Sequence, residues 1–309
     1  MVTFREACND GSFVISGEIG PPKGTNVASM IRDIDALKQA VDGINVTDNQ
    51  SAVMRLGSLA VSGEIARRGG DPIFQATCRD RNRIALQSDL LSAAFLGITN
   101  VLCLTGDHPS SGDHKQAKPV YDFDSVHLIQ CCKRMNDGLD WAGHELNGGT
   151  DFFVGAVVTP EADPLEPQLY KFARKVEAGA DFIQTQAVYD MAKFERFMEQ
   201  ARKITRGTSV KIMAGMVVLT SVGACSYMNK NIPGIVVPDC LVQEMSSVAK
   251  EGALRRGMEI AARHIRYLHE NKVCDGVHVM AIGKEHIVPE ILEMAGLARR
   301  EHDERGISN

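Results

Sequence analysis

No apolar run in this sequence approaches the roughly 18 residues of a membrane-crossing helix, and the amino-terminal MVTFREACNDGSF carries charge where a secretory leader has its apolar core. No membrane span or signal peptide is expected, and the chain reads as cytoplasmic. A basic excess is lacking too: 34 Lys and Arg stand against 39 Asp and Glu, a net charge of −5. That balance argues against nucleic acid or an anionic membrane as partner. The eight cysteines (Cys8, Cys78, Cys103, Cys131, Cys132, Cys225, Cys240 and Cys274) form no CxxC and no Cys/His cluster. No metal or iron-sulfur site built by this chain alone is expected, and the thiols read as reduced and packed as small apolar groups. Glycine loops of the GxGxxG or Walker type are missing, so a nucleotide cofactor would have to rest on other loops. No linker, low-complexity segment or composition shift marks a domain boundary.

What the sequence does contain is a rhythm. Val- and Ile-rich runs alternate with helix-period segments along the whole 309 residues, the pattern of repeated βα units. Eight candidate strands are SFVISGEI (12–19), DGINVTD (42–48), DPIFQATC (71–78), TNVLCLTG (99–106), DFFVGAVV (151–158), DFIQTQAV (181–188), SVKIMAGMV (209–217) and GVHVMAI (276–282). Eight such repeats predict an α/β fold, a single (β/α)8 TIM barrel over residues 1–309. Two segments break the rhythm: a polar loop after the fourth strand (107–122) and a helical extension before the eighth (228–272). A long loop directly after a barrel strand reads as a lid or binding loop.

In a parallel barrel the chemistry gathers at the carboxyl ends of the strands, which makes polar residues there candidates. The first strand ends on Glu18 in GEIGPPKGTN, where a strand that only had to pack would end on an aliphatic residue. Thr47, Asp48 and Asn49 end the second strand, Gln75 and Thr77 the third, Thr105 and Asp107 the fourth, and Gln184 and Gln186 the sixth. In an apolar pocket Glu18 would have a raised pKa and serve as a general acid, while a more polar Asp107 stayed ionised. The alternative is that Glu18 caps backbone amides or pairs with Arg79 or Lys23. TCRDRNR (77–83) reads as an ion-paired helix cap, with phosphate binding as its alternative. His264 and His269 are expected on a polar helix face, and His278 within a strand with no evident partner.

Six motifs, in order and in register with the eight repeats, carry a family resemblance: GEIGPP, NVTDN, ATCRDRN, LTGDHP, RKVEAGADFIQTQAVYD and GVHVMAIGK. On these the chain resembles the methylenetetrahydrofolate reductase family over nearly its whole length. The resemblance implies a flavin-bearing barrel that reduces 5,10-methylenetetrahydrofolate to 5-methyltetrahydrofolate. It implies Glu18 as the general acid that opens the imidazolidine ring before hydride arrives from flavin N5. Asp107 is implied between pterin and flavin, and Gln186 and Lys284 at the folate. Flavin contacts are implied at Thr47, Asn49, Gln75, Thr105, Gly106, Asp107, Tyr121, Asp122, Arg174 and Lys175, with Lys175 expected to face the mouth and meet phosphate. FAD is the expected flavin ahead of FMN, and an oligomer is expected.

The departures also carry information. Ile19 and Gly20 stand where many bacterial members have aromatic residues, LTGD lacks an arginine, Met228 replaces a phenylalanine that stacks on pyridine nucleotide, and Lys284 replaces an arginine. The pattern is similar to the branch of acetogens and other anaerobes, whose reductase subunit works with a cysteine-rich zinc or iron-sulfur subunit. Such an electron-transfer partner is therefore expected. Two other classes remain open on the residues: a folate- or corrinoid-linked methyltransferase barrel, and a non-catalytic assembly subunit.

Overall fold

The computed structural model describes residues 2–298, so residues 1 and 299–309 of the expected domain lie outside the described residues. The eight strands are β1 (Val14–Ile19), β2 (Gly43–Val46), β3 (Pro72–Thr77), β4 (Asn100–Leu104), β5 (Phe153–Val158), β6 (Phe182–Ala187), β7 (Lys211–Val217) and β8 (Gly276–Met280). They close into a barrel in sequence order, β1 pairing in parallel with both β2 and β8. Every expected strand is present, each shorter than its apolar run, because the ends of the runs leave the ladder at the barrel rims.

The helices are α1 (Phe4–Asp10), α2 (Ala28–Ala40), α3 (Ser58–Arg67), α4 (Arg83–Phe95), α5 (Ser125–Asn136), α6 (Glu166–Glu177), α7 (Met191–Ile204), α8 (Val222–Asn231), α9 (Asp239–Ser246), α10 (Ala253–Glu270) and α11 (Val288–Ala295). Their starts follow from side chains that accept otherwise unpaired N–H groups: Asn82 for α4, Asp124 for α5, Asp190 for α7 and Ser221 for α8. The main core lies between strands and surrounding helices. A separate apolar floor fills the amino-terminal end of the barrel, where Phe4 of α1 meets Phe153 and Phe182 at ring distances of 6.1 and 5.0 Å. That end of the barrel is thus filled by apolar side chains, and the polar strand ends lie at the other. The segment between β7 and β8 holds α8, α9 and α10, with its own apolar cluster around Leu219, Met228, Leu241 and Tyr189. Seven of the eight cysteines are buried, and burial pushes the Cys8, Cys78 and Cys131 thiols up to about 12.

The loop after β4 begins with a 3-10 turn, Pro109–Ser111, and is pinned over the mouth at three points. Asp113 pairs with Lys23 of the β1 loop, a Cβ at Gly112 would sit 1.8 Å from the Ala52 carbonyl oxygen, and Val120 N–H donates to the Arg79 carbonyl at 2.8 Å.

Candidate active site

Strand alternation turns Ser16 and Glu18 into the barrel, and the ladder sets Ser16 beside His278 and Glu18 beside Asn45. Glu18 is 8% exposed, with its Oε2 3.3 Å from His278 Nε2. On the other side of that imidazole, Nδ1 lies 3.0 Å from Ser16 Oγ and 3.3 Å from Asn45 Nδ2. Gln184 Nε2 donates to Ser16 Oγ at 3.2 Å across the barrel interior, and Gln75 Nε2 donates to Asn45 Oδ1 at 3.4 Å.

The direction of these bonds follows from what each group can do. An amide nitrogen only donates, so His278 Nδ1 accepts, and in the neutral ring the proton then sits on Nε2 and is donated to Glu18 Oε2. Both branches, Gln184–Ser16 and Gln75–Asn45, thus point their donors toward Glu18. Glu18 Oε1 has no hydrogen bond among the described residues. Glu18 uses neither of its expected alternative partners: Lys23 pairs with Asp113, and Arg79 with Asp80 at 2.7 Å. Its surroundings are polar rather than the apolar pocket that the strand pattern suggested.

The other expected residues divide by what their polar atoms already do. Thr47 is buried, and its Oγ1 has no partner among the described residues. Asp107 is exposed at the end of β4 with its carboxylate unbonded there, and Gly106 before it takes φ +90. Gln186 is exposed as well, because the β6–β7 register shifts between Gln184 and Ala187 while Thr185 Oγ1 accepts Gly215 N–H at 2.9 Å. Lys284 is exposed just beyond β8.

Several others are engaged in holding loops. Asn49 takes a left-handed φ of 47° and its Oδ1 accepts Arg55 N–H at 2.9 Å. Thr105 Oγ1 donates to Ser125 Oγ at 3.3 Å at the start of α5, and Tyr121 OH donates to the Gly106 carbonyl at 3.2 Å. Asp122 is bound through two oxygens by Arg83, whose guanidinium holds its carboxyl down at about 2. Asp48 accepts from Thr77 Oγ1 at 2.8 Å and Arg81 at 2.7 Å. TCRDRNR is thus the ion-paired cap of α4, with Asn82 as its N-cap.

Two expectations need correction. Arg174 is exposed and pairs with Glu177 at 2.9 Å, while Lys175 is buried rather than facing the mouth. The reason is local: the Lys175 side chain turns from α6 into the packing against the barrel wall, where the carboxyl end of β5 takes its ammonium. The β4–β5 ladder stops at Leu102 and Gly155, and Lys175 Nζ donates to the Val157 carbonyl beyond that point at 2.6 Å. Burial, with Lys171 adding to it, lowers the ammonium to about 8. His264 is likewise not on a polar face; it is buried, and its Nδ1 has no partner among the described residues.

Ser16, Asn45 and His278 were missed in the sequence reading, as was Glu285, which is buried after β8 and accepts Gly283 N–H at 2.9 Å. Burial raises the Glu285 carboxyl, and the charges of Asp33 and Glu18 add to the rise. The signal for the first three was position: polar residues at period two, one step below the candidates at the strand ends.

Together these groups set a buried carboxyl at Glu18 and polar atoms without partners among the described residues at Thr47, Asp107 and Gln186 toward one end of a barrel whose other end is filled by aromatic rings. The orphaned buried hydroxyl at Thr47 is a polar atom left for a ligand to satisfy. A family model described as methylenetetrahydrofolate reductase matches residues 3–296. A probable methylenetetrahydrofolate reductase (NADPH) of Caenorhabditis elegans is 24% identical over 241 residues, covering 76% of this chain and 34% of that one. A 5,10-methylenetetrahydrofolate reductase of Pectobacterium carotovorum is 26% identical over 224 residues, covering 69% and 68%. The chain spans about a third of the length of the nematode and fission-yeast relatives it matches. Among solved structures, an uncharacterized protein from Clostridium thermocellum, described as binding two copies of 5-methyl-5,6,7,8-tetrahydrofolic acid, superposes with a TM-score of 0.62. At 16% identity over 95% of this chain and 98% of that one, this likeness is one of fold.

Proposed function

The chain belongs to the methylenetetrahydrofolate reductase family, and from that premise we propose that it reduces 5,10-methylenetetrahydrofolate to 5-methyltetrahydrofolate with a bound flavin, FAD ahead of FMN. The observation that carries the reading is Glu18, a nearly buried carboxyl at the mouth whose one oxygen is fixed by His278 while the other is free. The flavin, when bound, supplies the hydride. Thr47 Oγ1 and the Gly106 backbone would meet its ring, with Gln75, Asn49, Thr105, Tyr121 and Asp122 shaping the loops around it.

In this reading Glu18 Oε1 holds the proton delivered to the bridging nitrogen of the imidazolidine ring as it opens. His278 Nε2–H keeps Oε2 as the accepting oxygen, so the proton is presented on the substrate side. Asp107 and Gln186 bind and orient the pterin, and Lys284, an exposed cation after β8, attracts the acidic end of the folate. Placing Lys175 at the flavin phosphates requires its ammonium to exchange the Val157 carbonyl for the ligand. The departures at Ile19, Gly20, Met228 and Lys284 support electron input from a cysteine-rich zinc or iron-sulfur partner subunit.

The test is Glu18→Gln, which keeps the shape and removes the titratable proton. Reduction of methylenetetrahydrofolate by the pre-reduced enzyme, followed in single turnover, should slow by about 10²–10⁴-fold with the bound flavin spectrum unchanged. An unaltered rate would remove the general-acid role, and a purified protein without flavin would favour the methyltransferase class.

A further inference from the structure

Arg79 stands just past Thr77–Cys78 in the β3 loop, where the sequence offered it only as an alternative partner of Glu18 and as part of the TCRDRNR cap. It is 2% exposed. Its Nε and Nη2 donate to Asp80 Oδ1 and Oδ2 at 2.8 and 2.7 Å. Nη2 also donates to the Asn49 carbonyl at 3.2 Å, and Nη1 to the Asp107 carbonyl at 3.3 Å. The Arg79 carbonyl in turn accepts Val120 N–H at 2.8 Å. One residue therefore touches the β2 loop, the β3 loop and both ends of the long loop after β4.

Two backbone features depend on this grip. Asn49 sits at φ 47°, a left-handed conformation that asparagine tolerates better than other non-glycine residues, and the guanidinium fixes its carbonyl there. Gly106 has φ +90°, and a Cβ there would come within 3.1 Å of Arg79 Cβ, so the absence of a side chain lets the β4 turn close onto the arginine. Asp107 follows directly. Its carboxylate has no hydrogen bond among the described residues, so its direction is set by its backbone, which Arg79 holds at the Asp107 carbonyl and the Tyr121 hydroxyl at the Gly106 carbonyl.

We infer that Arg79 is a positioning residue that clamps the Asn49 and Asp107 backbones together across the mouth and thereby aims the Asp107 carboxylate. What Asp107 is aimed at rests on the function proposed above; the clamp does not. Arg79 is not itself an anion site. Four of its five N–H groups are already used, and Asp80 neutralises its charge. Lysine cannot do the same work, since one ammonium cannot span a two-point carboxylate and two carbonyls in fixed directions.

The test uses Arg79→Lys in the full chain and two measurements. By amide hydrogen exchange, segments 48–53 and 105–110 should speed up together, by about tenfold, while α10 is unchanged. By kinetics, Arg79→Lys should lower kcat/KM for methylenetetrahydrofolate by about tenfold, and add less than about twofold to Asp107→Asn, because the arginine acts through that carboxylate. Unchanged exchange in either segment, or rate losses that multiply in the double variant, overturns the inference. If Arg79→Lys fails to accumulate, Asp80→Asn loosens the same guanidinium from its more exposed side, and the same paired rise in exchange is required. A wild-type protein that does not reduce methylenetetrahydrofolate sinks the proposed function, and the exchange result still decides the clamp.

Discussion

At the scale of single residues, environment outweighs type. His264 lies in α10, a helix with a polar side, yet it is buried, and burial, with the Arg263 charge adding, lowers its pKa from 6.5 to about 4. Glu244, the other charged group acting on it, partly offsets the fall. A histidine depressed in the fold takes up its proton more readily when unfolded. Its contribution is therefore complete above about pH 6.5 and is lost as pH falls toward 4, at about 1.4 kcal/mol per unit. Replacing it, His264→Leu, should flatten the decline of the melting temperature between pH 6.5 and 4.5. Equal slopes in variant and wild type would show that other groups set the acid limit.

At the scale of elements, the barrel is held by close approaches that only glycine permits. On α10, a Cβ at Gly257 would lie 1.7 Å from the Leu219 carbonyl oxygen beyond β7. In an exposed helix, Gly→Ala would stabilise by about 1 kcal/mol. Here the methyl must push the helix away from the strand, and the expected outcome is a net loss of about 1–3 kcal/mol. Thermal unfolding of Gly257→Ala decides between the two, since a raised melting temperature would mean that α10 can shift freely. The irregularity between β6 and β7 is an element-scale device of another kind. It turns Gln186 to the mouth while Gln184, two residues earlier, stays in the interior network.

At the scale of the whole molecule, the two barrel ends have different tasks. The amino-terminal end is sealed by Phe4, Phe153 and Phe182, with Ile73, Leu102 and Met213 around them. Phe4 belongs to the first helix, which starts from a Thr3–Glu6 capping box ahead of β1 in the chain. Truncation to Phe4→Ala should cost about 3–5 kcal/mol through the cavity it leaves. Urea unfolding would read this as a lower midpoint at unchanged slope, and a midpoint near wild type would mean that the floor does not depend on the plug. The carboxyl end, free of such packing, can keep polar groups unpaired for a ligand.

The alternation of Val- and Ile-rich runs with helical segments was enough to establish eight strands, their order and the carboxyl-end rim near which Glu18, Thr47, Asp107 and Gln186 lie, because side-chain period and barrel direction are local consequences of the chain. The capped start of α4 was legible for the same reason. The partner of Glu18, the burial of Lys175 and the clamp at Arg79 were not. Ser16 and His278 are 262 positions apart and become neighbours only when β8 closes on β1. The grip of Arg79 on Asn49 and Asp107 likewise joins loops about 30 residues to either side. Local pattern dictates which way a side chain leaves its strand or helix; which group it meets there is decided by ring closure and by how each helix packs against the barrel wall.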